Sequence, residues 1–343
     1  MSLAKQQYGG VYPLLLIVLA TSFVMSVCFG AVDIAPAEIV SGLRKYSTSG
    51  DLSLNERIML HIRLPRAIMC VIAGASLAVG GTLMQALFRN PIVEPGLIGT
   101  SSGAAFGAAL YFVLGALWKL DTGPWSLPVA ASAGAFLATG LVFVLSKSRQ
   151  QGNGSIITLL LMGIAINAVF LSGVGFLSYI ARDPQARSIT FWNLGTLSGS
   201  SWPSVLVTSI SSVLCIVIAL LYSRQLNALM MGEEEALLIG VNVKRLKRNV
   251  LLVNVIMIAS VTAFIGVISF VGLLVPHLLR IWKGSDNRYL LIGSAIAGGI
   301  LLSAADLAAR LILKPSELPI GIVTSLVGVP AFIFLLRKNK YFF

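Results

Sequence analysis

Asn249–Leu279 reads NVLLVNVIMIASVTAFIGVISFVGLLVPHLL, thirty-one consecutive residues without Asp, Glu, Lys or Arg. As a single helix it would be roughly 46 Å long at about 1.5 Å per residue, against a hydrocarbon layer of about 30 Å. One crossing is too short a path for it. Gly266, Gly272 and Pro276 all fall in its second half, where such residues weaken or interrupt a helix. The run therefore divides into a full span followed by a short, broken one. Whether it crosses once or twice decides the parity of the whole chain.

Outward from this stretch, uncharged apolar runs recur at 11 to 31, 67 to 88, 95 to 118, 124 to 146, 155 to 181, 202 to 223, 289 to 309 and 318 to 336, and the one charged residue among them is Asp306. Each is long enough to satisfy its own backbone hydrogen bonds across a bilayer as a helix. The first exceeds the length of a signal-peptide core and is followed by equivalents, so it reads as a retained span. Counting the broken stretch twice gives ten crossings and an all-α, polytopic membrane protein. Its 57% apolar and 11% charged composition agrees, because a soluble chain of this size needs more charge to cover its surface.

Loop charge tests the count, since short loops rich in Lys and Arg stay in the cytoplasm. With ten crossings and an internal N-terminus, 15 basic residues fall inside and 10 outside; with nine crossings the tally is 11 inside against 14 outside. Ten crossings with both termini cytoplasmic is the better reading. The outside segment 32 to 66 nonetheless carries Arg44, Lys45, Arg57, Arg63 and Arg66, which calls for a reason of its own. The other excursions are 182 to 201 outside and 224 to 248 inside. None is long enough for a separate domain, so residues 1–343 form one transmembrane domain in contact with membrane lipid.

Several function classes drop out. The +12 net charge is dispersed between apolar runs rather than clustered as a nucleic-acid footprint. Cys28, Cys70 and Cys215 lack paired spacing or neighbouring histidines, so they read as core residues and no metal site is expected. No Gly-x-x-x-x-Gly-Lys-Ser/Thr run is present, so the chain has no loop of that kind for nucleotide phosphates. Energy for transport must come from another chain. An ion-coupled carrier would need titratable groups near the midplane, and Asp306 alone is available.

The elements Ile62-Arg63-Leu64-Pro65-Arg66, GTLMQALF at 81–88, NPIVEPGLIGTSSG at 90–103, FVGLLVPH at 270–277 and ELPIG at 317–321 resemble those of the iron-siderophore, haem and cobalamin permeases. Their order and spacing match over nearly the whole chain. The resemblance implies a type II ABC importer permease: a homodimer of ten-helix subunits, with a second copy of the chain across the translocation path. It also implies two ATP-binding subunits inside, which use the ATP, and a periplasmic or lipid-anchored substrate-binding protein outside. The cargo would be haem or another iron chelate, with no covalently bound cofactor. The run Glu94–Gly99 is more similar to haem and cobalamin permeases than to most siderophore ones, which favours haem.

Site expectations follow, the docking and coupling residues from the same resemblance and the path candidates from polar or flexible side chains in the spans. Arg63, Arg66 and Arg310 are expected as a basic rim that receives glutamates of the binding protein, as guanidinium suits carboxylate; an Asp306–Arg310 helix pair or phosphate snorkelling are the alternatives. Gly232, Glu233, Glu234, Glu235, Ala236 and Gly240, in the excursion 224 to 248, are expected to form the loop that couples to the ATPase. A helix resting on anionic headgroups is the plainer reading of its acid-then-base order. Met84, Gln85, Ser101, Ser102, Asn167 and Thr324 are candidates for the cargo path, each with a helix contact as the alternative. Arg187 and Trp192 are placed to meet an anionic aromatic cargo, unless Trp192 is an interfacial anchor. His277 reads as a helix-end hydrogen-bonding residue and His61 as no ligand. A reporter active only in the cytoplasm, fused at either end of the chain, is expected to be active in both fusions; opposite outcomes would restore nine crossings.

Overall fold

A computed structural model describes residues 10–30, 32–48, 51–118, 123–146 and 156–338. Lys5, Lys119, Lys147, Arg149 and Lys340, which enter the charge count, lie outside them. The described elements are helices: α1 Val11–Cys28, α2 Pro36–Ser47, α3 Leu54–Phe88, α4 Thr100–Leu117, α5 Ser126–Leu145, α6 Ile156–Ile180, α7 Asp183–Asn193, α8 Trp202–Leu221, α9 Ser223–Met231, α10 Glu233–Leu238, α11 Val243–Ile265, α12 Val271–Lys283, α13 Asn287–Ile312 and α14 Ile320–Lys338. Among the described residues seven helices are long and apolar enough to cross a membrane, and shorter apolar helices occupy Thr100–Gly115 and Ile320–Leu335.

Two boundaries differ from expectation. Helix α3 begins at Leu54 instead of residue 67, because Ser53 caps it, accepting a hydrogen bond from the Glu56 N–H. Pro65 has no N–H to continue the ladder, and the turn before it, Met59–Arg63, widens into a π-helical turn. Helix α4 begins at Thr100 instead of residue 95, since Gly99 adopts φ +92° and the backbone from Pro91 is turned rather than helical.

Helix α3 is the axis of the bundle: 83% of its most apolar stretch is buried, against 17% for α6. Its partner is α13. A Cβ on Gly74 would fall on the Gly298 carbonyl, and one on Gly298 on that of Gly74, so the two backbones touch as small-residue crossings in membranes do. Gly81 meets the Gly272 carbonyl in the same way and brings α12 onto α3. The exposed apolar side chains of α6, such as Val169, Leu171 and Phe176, and of α14, such as Leu326 and Phe334, need lipid or another subunit to cover them.

The long uncharged run divides at residues 266 to 270. Gly266 takes φ +75° and Phe270 φ +69°, ending α11 and aiming α12 anew. Helix α12 has thirteen residues, about 20 Å, and Pro276 lies inside it without ending it. The division into a full span and a short one stands, and glycine makes the break.

Close packing at the α3–α13 crossing has a measurable cost of disturbance. Gly298→Ala is expected to destabilise the purified protein by about 1–3 kcal/mol, the usual penalty for overpacking. Gly140→Ala, where a Cβ would meet nothing within 4 Å, is expected to be neutral or stabilising by up to about 1 kcal/mol. Thermal unfolding in detergent compares the two.

Candidate functional site

The functional features occupy three levels of the bundle: an arginine cluster at the end that the charge count places outside, a polar cavity at the helix breaks, and an apolar knob at the opposite end.

Arg63, Arg66 and Arg310 do come together, but buried, at 7%, 8% and 3% exposure. Arg66 donates from Nε (3.0 Å) and Nη2 (2.8 Å) to Asp306 Oδ1, and from Nη1 to both Glu317 oxygens at 3.0 and 2.8 Å. Arg310 donates from Nε to Asp306 Oδ2 at 2.9 Å and reaches the Phe29 carbonyl, the Ser26 carbonyl and Ser26 Oγ. Arg63 donates to the Phe29 carbonyl at 2.7 Å and the Val32 carbonyl at 3.1 Å. The residues expected as a rim thus form a buried network that ties the end of α1 to α3, α13 and the α13–α14 linker. Asp306 is fully buried and serves two guanidinium groups, which is how a charge is tolerated in an otherwise apolar span. The Asp306–Arg310 helix pair is present, as one arm of this network.

A cavity of about 470 Å³ lies where helices are interrupted. Its walls come from the 94–97 turn, the start of α4, the middle of α6, the end of α7 and residues 267 to 272. Ser101, Ser102 and Asn167 all line it. Asn167 accepts from the Ser102 hydroxyl and donates to the Leu97 carbonyl at 2.9 Å. Glu94 also lines it and accepts the Phe270 N–H at 2.7 Å, while the Asn254 amide donates to the Pro95 carbonyl at 3.1 Å.

The remaining path candidates sit elsewhere. Met84 and Gln85 are fully buried; Gln85 donates to the Gly272 and Leu273 carbonyls, in a packing role at the start of α12. Thr324 donates to the Gly321 carbonyl and lines a separate apolar cavity of about 180 Å³ beside Phe270. On α7, Arg187 is exposed while Trp192 is buried among the side chains of α4 and α11. The two point apart, so they form no joint surface, and Trp192 is a core residue instead of an interfacial anchor. His277 is buried against Phe332, and no cluster of metal-binding side chains occurs among the described residues.

In the excursion 224 to 248, Glu233, Glu234 and Glu235 open α10. Gly232 and Gly240 flank it with positive φ and Ala236 is buried beneath. Lys247 on α11 holds both Glu233 oxygens at 2.7 Å, so acid and base partly satisfy each other. Large apolar groups are well exposed here: Met231 at 73%, Leu237 at 60%, Leu238 at 86% and Ile239 at 66%. Such a patch on a charged excursion marks an interaction surface. Its base is fastened to the bundle, for Asn227 of α9 donates to Asp286 at 3.2 Å and accepts from the Asn287 backbone and side-chain N–H groups at 2.8 Å each.

Sequence reasoning passed over Glu94, Glu317, Asn193 and the Leu237–Ile239 tip as site residues. Signals for the first and last were present: a lone acid between Pro91 and Pro95, and three apolar residues in a polar excursion. Asn193 and Glu317 acquire their places only through tertiary contacts.

Removing the hub charge leaves two buried guanidinium groups facing a neutral amide. Asp306→Asn is expected to destabilise the protein by about 3–5 kcal/mol, the range for breaking a buried ion pair from one side. Thermal unfolding in detergent reads this directly, and an unchanged midpoint would remove Asp306 from the centre of the network.

Residues 15–338 match the FecCD transport family. The chain is 43% identical over 292 residues to the hemin transport system permease protein HmuU of Yersinia pestis, covering 82% of this chain and 84% of the relative. It is 40% identical over 279 residues to the cobalamin import system permease protein BtuC of Halobacterium salinarum, covering 81% and 73%. A solved inward-facing conformation of a metal-chelate type ABC transporter superposes with a TM-score of 0.84 at 30% identity, covering 97% of this chain and all of that one. Together with the broken-helix bundle described above, these matches place the chain in the FecCD transport family, as a permease of the ABC-importer type.

Proposed function

We propose that this permease carries haem inward by alternating access, as a homodimer of ten-crossing subunits with both termini in the cytoplasm. Two ATP-binding subunits engage the α9–α10 end, and an external substrate-binding protein delivers cargo at the arginine-cluster end. The observation that carries the mechanical part is the exposed Met231, Leu237, Leu238 and Ile239 knob, which has the size and polarity of a plug for a cleft in a partner. Asn227 then links the knob to the start of α13, and α13 runs to Asp306 at the opposite end. Motion at the knob thus has a continuous helical path across the bundle.

Ser101, Ser102 and Asn167 with Glu94 offer hydroxyl, amide and carboxylate groups to cargo on an otherwise apolar wall. Haem is favoured by the 43% identity to a hemin permease and by the Glu94–Gly99 run. Cobalamin is the second reading, carried by the 40% identity to a cobalamin permease. An ion-coupled carrier finds no support, because Asp306 is saturated by Arg66 and Arg310 and holds no free oxygen for a migrating ion.

Proteoliposomes holding the permease with its ATPase and the cognate binding protein are expected to accumulate haem only with ATP, and the permease alone to do nothing with a proton or sodium gradient. Preference for cobalamin or a ferric siderophore would change the cargo and keep the mechanism. Leu238→Asp is expected to weaken ATPase association about tenfold or more, as for a buried interface anchor, with thermal stability unchanged.

A further inference from the structure

We propose that Glu317 is an intramolecular stand-in for an acidic side chain of the external binding protein, and that docking exchanges one carboxylate for the other on Arg66. This rests on the reading that the arginine cluster receives that protein. Within the cluster three guanidinium groups face two carboxylates, Asp306 and Glu317, and the hydrogen bonds of Arg63 go to backbone carbonyls alone. The cluster therefore carries an uncompensated positive charge close to the surface, and one more carboxylate is electrostatically favoured there.

Only one of the two resident carboxylates is placed to leave. Asp306 is 1% exposed, sits on α13 and is held by two arginines. Glu317 is 40% exposed, makes its ion pair among the described residues with Arg66, and belongs to the non-helical linker between α13 and α14. Arg66 turns Nε and Nη2 to Asp306 and leaves only Nη1 for Glu317. An incoming carboxylate that reaches Arg66 must take that same nitrogen, and it lies near the Arg63 charge, to which Glu317 makes no hydrogen bond.

The exchange has a mechanical consequence. Three residues beyond Glu317, the Ile320 N–H donates to the Gly195 carbonyl and the Gly321 N–H to the Leu194 carbonyl. These bonds brace the end of α7, whose Asn193 lines the central cavity. Freeing Glu317 loosens the linker that holds this wall, so arrival of the binding protein is communicated to the cargo chamber through the short segment from Glu317 to Gly321 and its hydrogen bonds to residues 194 and 195.

The test measures docking of the purified cognate binding protein to the complete transporter in lipid nanodiscs. Glu317→Gln and Glu317→Ala, which remove the competing charge, are expected to dock about tenfold tighter, a change typical of one lost charge-assisted contact. Both should also raise ATP hydrolysis in the absence of binding protein, while Glu317→Asp stays near the parent. Unchanged or weaker docking by Gln and Ala variants overturns the exchange. Arg63→Gln separates the two layers of the claim. If it weakens docking while the Glu317 variants change nothing, the cluster is the docking site and the exchange is wrong. If no variant alters docking, the arginine-cluster reading fails as well.

Discussion

Inside a bilayer an interrupted helix has no water to receive its freed backbone groups, and each one left unpaired costs several kcal/mol. Among the described residues, four of the breaks between helices, at residues 89 to 99, 194 to 201, 266 to 270 and 313 to 319, are drawn into one another. The Thr196 N–H reaches the Ile265 carbonyl, Ile320 and Gly321 reach Gly195 and Leu194, and Phe270 reaches the Glu94 carboxylate. Asn254 meets the Pro95 carbonyl. Breaks that satisfy one another must lie together, and where they lie together the helices cannot close ranks. The polar cavity is the geometric outcome of that constraint.

Around this cavity the helices are fastened to one another at both ends. Gly74 and Gly298 lock α3 to α13 at backbone contact, and Asp306 locks the far ends of the same pair through Arg66 and Arg310. At the other end Asn227 fastens the knob-bearing excursion to the start of α13. The pair of helices α3 and α13 thus runs from the arginine cluster to the base of the excursion, beside the cavity. The energy source lies in partner chains, and the permease supplies the lever.

Much of this was legible in the sequence, and the reasons differ by element. Apolar length alone exposed the spans, since lipid imposes one simple requirement on them. The division of Asn249–Leu279 followed from its excess length, and Gly266 rather than Pro276 proved to make it. Ser101, Ser102 and Asn167 were found because polar side chains are conspicuous in apolar runs. Gln85 and Thr324 met the same criterion and Met84 was added for its flexibility, but Met84 and Gln85 are buried away from this cavity and Thr324 bonds within its own helix beside a separate one. Which way a helix turns its face is a tertiary fact, and in membrane helices apolar periodicity is too weak to reveal it. The arginines were read as a docking rim on the strength of the family resemblance, which says nothing of how they are packed. The structure buries them because Asp306 and Glu317, 240 and 251 residues away from Arg66, arrive to meet them.

If the breaks satisfy one another, the broken segments are held as firmly as the helices they interrupt. Hydrogen–deuterium exchange on the permease in nanodiscs measures this at each backbone amide. Residues 196, 270, 320 and 321, although outside or at the ends of helices, are predicted to exchange as slowly as the interior of α11. Exchange there as fast as in the exposed 239–242 turn would show the breaks to be solvated loops, and the mutual-satisfaction account of the cavity would be wrong.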